Sequence, residues 1–182
     1  MATIVVPFRS GGKSRLPDEL RVEVALAMLC DVLEAAAAFS ADVRLVTDDV
    51  AATLIAAGLG VEVVADPGGG QSAAVQAGLV ALEGVCLVVN ADLPGVQPSD
   101  LEALAGPPGA GALALAAAGD GTTNALGLPF ADAFSPLYGP GSADRFRVHA
   151  AALGLAVHDL ELPGLRDDVD TVADLEQAGL RA

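Results

Sequence analysis

Short, unbroken apolar runs rich in Val, Ile and Leu alternate along this chain with longer Ala/Leu stretches at helical spacing, and that alternation limits the fold more than any single motif. The runs at Thr3–Phe8, Val43–Thr47, Val61–Val64, Val85–Asn90 and Ala112–Ala116 read as strands, continuous enough to be buried on both faces. Between them, Asp18–Ala38, Asp49–Ala57, Gln71–Leu82 and Ser99–Ala105 read as helices, with Asp18, Asp49 and Ser99 as caps or first-turn residues. The expected architecture is a three-layer α/β/α sandwich around a mostly parallel mixed sheet. After Gly119 the pattern changes. Asp120-Gly121 marks a turn, and Asn124–Pro129 reads as a strand too short and too early for another full crossover. A helix from Ser142 to about Leu153, a strand from Leu155 to Leu162 and a last helix after Thr171 complete the expected order. Pro107-Pro108-Gly109 reads as a loop.

A chain of 182 residues with 53% hydrophobic and 18% charged residues fits one globular domain, expected to span 1–182. Its formal net charge of -15 argues against a nucleic-acid partner, which would need a basic stripe. Small phosphorylated substrates stay compatible with it, because a bound cation inverts the local field. Cys30 and Cys86 lie in apolar runs and read as buried thiols of a reducing compartment. Met1–Phe8 lacks the basic start of a signal peptide, and no apolar run is long enough to span a membrane, so a cytoplasmic protein is expected.

Several segments carry chemistry. The loop Arg9-Ser10-Gly11-Gly12-Lys13-Ser14-Arg15-Leu16 follows the first strand and sets three cations beside two glycines, which suits a triphosphate. Gly12-Lys13-Ser14 matches the end of a P-loop, but Pro7 stands where that pattern needs its first Gly, and proline has no N–H to give a phosphate. A nucleoside-triphosphate loop of another kind is the better fit, and a solvated basic turn is the plain alternative. Asp66-Pro67-Gly68-Gly69-Gly70-Gln71-Ser72 brings three glycines to a helix start, where main chain can touch a base or phosphate; a surface loop explains it too. Val88-Val89-Asn90-Ala91-Asp92-Leu93-Pro94 ends an apolar strand in a carboxylate, at the edge of the sheet where α/β folds bind ligands. Asp92 is placed there to hold a metal, or to form a turn before Pro94.

Asp120-Gly121-Thr122-Thr123-Asn124 offers hydroxyls and turn amides to a phosphate or carboxylate, or is a hairpin turn. Gly139-Pro140-Gly141-Ser142 reads as a phosphate cradle whose Ser caps a helix. In Arg166-Asp167-Asp168-Val169-Asp170-Thr171 two carboxylates stand two residues apart, on one side of an extended segment, an arrangement that suits a hard divalent cation. His149 and His158 lack partners at metal-ligand spacing and read as structural or surface residues.

In order, Val6-Pro7-Phe8, Lys13-Ser14-Arg15-Leu16, Asn90-Ala91-Asp92-Leu93-Pro94, Asp120-Gly121-Thr122-Thr123-Asn124, Gly139-Pro140-Gly141-Ser142 and Asp168-Val169-Asp170-Thr171 resemble the 2-phospho-L-lactate / phosphoenolpyruvate guanylyltransferases of coenzyme F-420 biosynthesis. The Asp-Leu-Pro strand end is shared with the wider GT-A-like nucleotidyltransferases, so the resemblance implies a nucleotide-diphospho-sugar transferase-like fold for the one domain. It implies transfer of GMP from GTP to phosphoenolpyruvate, 2-phospho-L-lactate or 3-phosphoglycerate, with release of pyrophosphate. It further implies magnesium held by Asp92, Asp168 and Asp170, with Lys13, Arg15 and Asp92 catalytic. Thr123, Gly139 and Ser142 are implied to hold the acceptor. Arg9, Gly11, Gly12, Lys13, Gly70 and Gln71 are implied to meet the nucleotide, and the product passes to the next pathway enzyme. The chain departs from the pattern at Gln71-Ser72, where relatives carry Leu-Asn, at Arg9, where a Lys is usual, and at Phe146, where a His commonly follows the Arg. A related nucleotidyltransferase with another acceptor, such as a molybdopterin or sugar phosphate, and a non-catalytic GTP-binding protein are the alternatives.

Overall fold

The computed structural model describes residues 2–9 and 18–166. The expected last helix, Gly11, Gly12, Lys13, Arg15, Asp168 and Asp170 lie outside them. Strands β1 (Thr3–Pro7), β2 (Val43–Thr47), β3 (Glu62–Ala65), β4 (Cys86–Val89), β5 (Leu113–Ala117), β6 (Thr123–Leu128) and β7 (Val157–Asp159) form one sheet in the order β3-β2-β1-β4-β6-β5-β7. Helices α1 (Asp18–Phe39), α2 (Val50–Leu59), α3 (Gln71–Leu79), α4 (Pro98–Gly109), α5 (Ser142–Ala152) and α6 (Pro163–Arg166) connect or flank them. The pairs β1·β2, β1·β4, β2·β3 and β5·β7 are parallel, and among these strands β6 alone runs antiparallel, between β4 and β5. The sheet is thus the mostly parallel mixed sheet read from the sequence.

The period of two along each strand divides the core into two layers. Ile4, Val6, Leu87, Val89, Ala114 and Ala116 face Leu29, Leu33, Ala52, Leu101 and Leu104 of α1, α2 and α4. Val5, Cys86, Val88, Leu113 and Leu115 face Val75, Leu79, Phe146 and Ala150 of α3 and α5. Small residues set how closely helices approach. A Cβ on Gly78 of α3 would come within 2.8 Å of Val46 Cγ2 and closer still to Val5 Cγ1. One on Gly127 of β6 would meet Leu104 O at 2.5 Å and Pro108 Cγ at 2.7 Å. These distances are below any real Cβ contact, so both positions admit only glycine without local displacement.

Three local expectations are corrected. The strand read at Val61–Val64 as buried on both faces is the edge strand β3, paired on one side only, and its residues are exposed or half-buried. Pro107-Pro108-Gly109 closes α4 and is no loop. Proline's fixed φ is helical, and the two prolines sit in the last turn, where Pro108 is buried over Gly127. Their carbonyls accept from the N–H groups of Ala110, Gly111 and Ala112. Gln97 caps α4, through a capping box in which Asp100 Oδ2 accepts from the Gln97 N–H at 2.9 Å, and Ser99 stands in the first turn, one of the two places read for it. The segment read as a strand from Leu155 to Leu162 pairs only over Val157–Asp159, because Pro163 opens α6. Asp49 caps α2 as read, its carboxylate accepting from the Ala52 N–H at 3.0 Å. Among the described residues no helix is long and apolar enough to cross a membrane.

Candidate active site

After β1 the chain feeds β2 and β3 on one side and β4 on the other, so the carboxyl ends of β1 and β4 border the topological switch point. A cleft of about 310 Å³ opens there. Pro7, Phe8 and Arg9 line it after β1, Asp66 after β3, Gln71 and Ala74 from α3, and Asn90, Ala91 and Asp92 after β4, with Ala25 and Met28 of α1 closing one wall. Arg9, Gln71 and Asp92, three residues singled out from the sequence in separate motifs, share this cleft.

Arg9 has a partner the sequence did not reveal. Its Nε and Nη2 donate to Asp66 Oδ2 and Oδ1 at 2.5 and 3.0 Å, a bidentate pair. The Asp66 side chain is 1% exposed and that of Arg9 44%, so the guanidinium lies over the carboxylate as a lid and keeps a face toward water. The Arg9 hydrogen bond holds the Asp66 carboxyl below its usual range, against the opposing pull of burial. Asp66 Oδ1 also accepts from the Gly68 N–H at 2.9 Å. The loop that follows has Gly68, Gly69 and Gly70 at φ of 80, 85 and 92°, a run in the left-handed region that only glycine adopts without strain. Gly70 is the N-cap residue of α3. Asp66 therefore ties the glycine loop to the end of β1 and aims Gln71, the first residue of α3, into the cleft.

A second group of expected residues gathers at the start of β6. Because β6 is antiparallel to β4, its first residues meet the end of β4: the Asn90 N–H donates to the Asn124 carbonyl at 3.0 Å. Ser142 Oγ donates to Thr123 Oγ1 at 3.0 Å. The expectation brought these two residues together, and the structure does so. It buries them at 0% and 1% exposure, facing each other, so they shape the wall beneath the Gly139–Ser142 loop. Neither these two nor Gly139 lines the cleft. Ser142 is not the helix cap. Gly141 takes that position at φ 69°, and the N–H groups of Ser142 and Ala143 donate to the Gly139 and Gly121 carbonyls. Gly139 is at φ 117°. Arg145 folds back beneath this loop and donates to the Leu137 carbonyl through Nε and Nη2, at 3.1 and 2.7 Å, and to the Pro140 carbonyl through Nη1 at 2.5 Å.

Asn90 and Asn124 stand inside motifs legible in the sequence, yet nothing in the sequence gave either of them a role. The buried Asn124 donates Nδ2 to the Arg166 carbonyl at 3.0 Å, so the end of α6 is held at this same edge of the sheet. Arg166 is two residues ahead of Asp168 in the chain. Asp92 brings a carboxylate to the cleft, and carboxylate oxygen is the donor chemistry that magnesium takes. No group of three or more His, Cys, Asp or Glu is gathered for a metal among the described residues, which exclude two of the three carboxylates expected as ligands. Of the residues read as structural, His149 places Nε2 3.2 Å from the Ala133 carbonyl. Cys30 and Cys86 are free thiols; Cys86 is buried as read, whereas Cys30 on α1 is only half-buried, and desolvation is the main cause that raises the pKa of each.

A cleft at the switch point, a glycine loop entering a helix and a strand ending in Asp are the marks of a nucleotidyltransferase, and the MobA-like NTP transferase domain matches residues 20–146. Among solved structures, one from Desulfovibrio desulfuricans assigned to the nucleotide-diphospho-sugar transferases aligns at TM-score 0.79 and 17% identity, over 97% of this chain and 85% of that one; at that identity the likeness is one of fold. The phosphoenolpyruvate guanylyltransferase of Nocardia farcinica is 39% identical, over 97% of this chain and 84% of the relative. That of Streptomyces coelicolor is 38% identical, over 97% and 89%. The chain belongs to the phosphoenolpyruvate guanylyltransferase family, within the MobA-like nucleotidyltransferases.

Proposed function

We propose that this chain transfers GMP from GTP to the phosphate of phosphoenolpyruvate, or of the closely related 2-phospho-L-lactate or 3-phosphoglycerate, and releases pyrophosphate. The supporting observation is the convergence, in a chain of this family, of the cleft between β1 and β4 with the Gly139–Ser142 loop across the β4·β6 pairing. The cleft takes GTP, with Gly70 and Gln71 toward the base and Arg9 toward the triphosphate, joined there by Gly11, Gly12, Lys13 and Arg15. The Gly139–Ser142 loop takes the acceptor against the Thr123–Ser142 wall.

In the reaction an oxygen of the acceptor phosphate attacks the α-phosphorus of GTP. The new P–O bond forms as the bond from the α-phosphorus to the α–β bridging oxygen breaks, and pyrophosphate leaves with that electron pair. Both reactants are anions, so the chemical difficulty is charge and alignment. Asp92, Asp168 and Asp170 would hold magnesium, which when bound neutralises phosphate charge. The chain's own cations contribute to the same neutralisation. The Arg9 guanidinium, anchored by Asp66, presents its exposed face to the phosphates, and Lys13 and Arg15 add positive charge from the segment that follows it. Neither cysteine lines the cleft, and no covalent intermediate is required.

The test is pyrophosphate release from GTP with each of the three acceptors in turn, beside Asp92→Ala. Release with one acceptor, abolished in the variant, establishes the reaction and names the substrate. GTP binding without release for any acceptor overturns the reading in favour of another acceptor or a non-catalytic role.

A further inference from the structure

The polar chain beside the cleft has a direction, set by one backbone carbonyl. The Thr123 carbonyl can only accept, so the amide nitrogen of Asn90 must face it, and Asn90 Nδ2 donates to it at 3.2 Å. That turns Asn90 Oδ1 toward Gln71, whose Nε2 donates to it at 2.6 Å. An oxygen on Gln71 at that place would oppose an oxygen, so the order of atoms in the second amide is fixed by the first. Asn90 cannot turn to relieve the constraint. Its N–H is bound to the Asn124 carbonyl at 3.0 Å, and a flipped side chain would leave the Thr123 carbonyl against an oxygen. The groups that Gln71 has left, on a residue that lines the cleft, are the acceptor Oε1 and the second hydrogen of Nε2, and their order is fixed.

We propose that Asn90 is a positioning residue for base selection: it holds the Gln71 amide so that Oε1 accepts from the N–H edge of guanine. The inference rests on the guanylyl-transfer reading and adds a determinant of the base in this chain. Guanine presents a ring N1–H and a 2-amino group side by side, both donors. In the register of those two donors adenine presents a bare N1 acceptor and a C2–H, its 6-amino group lying on the far side of N1, so a carbonyl oxygen fixed there is repelled. A fixed acceptor thus rewards guanine and penalises adenine, and a freely turning amide would serve both.

The experiment compares dissociation constants for GTP and ATP, by calorimetry without acceptor, in the wild-type chain, Gln71→Leu, Asn90→Ala and the double variant. Gln71 is exposed at the start of α3, so Gln71→Leu tests the idea without touching the core. Each single variant is expected to lower the preference for GTP over ATP by roughly threefold to tenfold, the range of one neutral hydrogen bond. The double variant is expected to lose no more than Gln71→Leu alone, because Asn90 acts only through Gln71. A general loosening of the site would weaken both nucleotides alike and leave the ratio unmoved. An unchanged ratio in Gln71→Leu, in a protein that still releases pyrophosphate, overturns this inference and spares the transfer reading. The expected shifts in a protein that transfers GMP to no acceptor would do the reverse, and absence of binding by either nucleotide would sink both.

Discussion

Replacing Gly78 by Ala should destabilise the protein, although a helix interior ordinarily favours Ala over Gly by about 1 kcal/mol. Gly78 is the next-to-last residue of α3 and lies directly on β1 and β2, where a Cβ would sit 2.8 Å from Val46 Cγ2 and nearer to Val5 Cγ1. Both valines are fully buried, and a β-branched side chain has few rotamers in which to step aside. Overpacking of this kind costs about 1–3 kcal/mol, and a contact this short belongs at the upper end. Set against the propensity gain, the net loss is about 1–2 kcal/mol, which for a chain of this size lowers Tm by roughly 2–8 °C. Gly58, in α2, is the control: nothing lies within 4 Å of its Cβ position. Gly58→Ala keeps the propensity term without the clash, and should raise Tm by up to roughly 4 °C. Thermal melts followed by far-UV circular dichroism read both. If the two variants shift Tm in the same direction, or if Gly78→Ala melts at or above the wild type, the close approach of α3 to the sheet is not what the geometry says.

The Arg9–Asp66 pair makes a pH-dependent contribution to stability. The Asp66 carboxyl is held below its unfolded value by Arg9, so its contribution is complete above the ordinary carboxylate pKa of about 4 and is lost as pH falls through the lower folded value. Asp66→Asn should therefore be less stable than wild type in urea titrations at pH 7, with the gap closing toward pH 2; a gap of constant size would refute the assignment. Arg145→Lys replaces a planar fork that holds two carbonyls with a single ammonium, and should raise KM for the phospho-acid severalfold with KM for GTP unchanged. Steady-state kinetics varying each substrate in turn would expose an equal rise in both, which would place Arg145 outside acceptor binding.

Hydrophobic pattern made the sheet legible, because a strand buried on both faces leaves an unbroken Val/Ile/Leu run and the helices between strands need a different period. What pattern does not encode was missed. Pro107 and Pro108 are poor helix formers by local rule, yet both lie in the last turn of α4, with Pro108 buried over Gly127. Ser99 was read as a cap or a first-turn residue, and the reciprocal bond between Gln97 and Asp100 decides for the first turn. In the site, Arg9, Gln71 and Asp92 announced themselves by charge or by position beside glycines and a strand end. The Asp66 partner of Arg9 lies 57 residues away, and nothing local couples the two. Asn90 and Asn124 were visible as strand-end amides, but their roles depend on which carbonyl each faces, a property of the β4·β6 register rather than of neighbouring residues.

The lone antiparallel strand also bears on how such proteins are remodelled. By reversing direction between β4 and β5, β6 brings a late, contiguous stretch of chain, from the Asp120 turn through α5, against a cleft built entirely from residues before Pro94. The halves of the proposed chemistry therefore occupy separate blocks of sequence that meet along the β4·β6 pairing and at the bond from the Tyr138 N–H to Ser72 Oγ. A graft of that later block from a relative, keeping the Asn90 and Asn124 contacts across that pairing, would exchange the acceptor side as a cassette while the nucleotide side stays as it is.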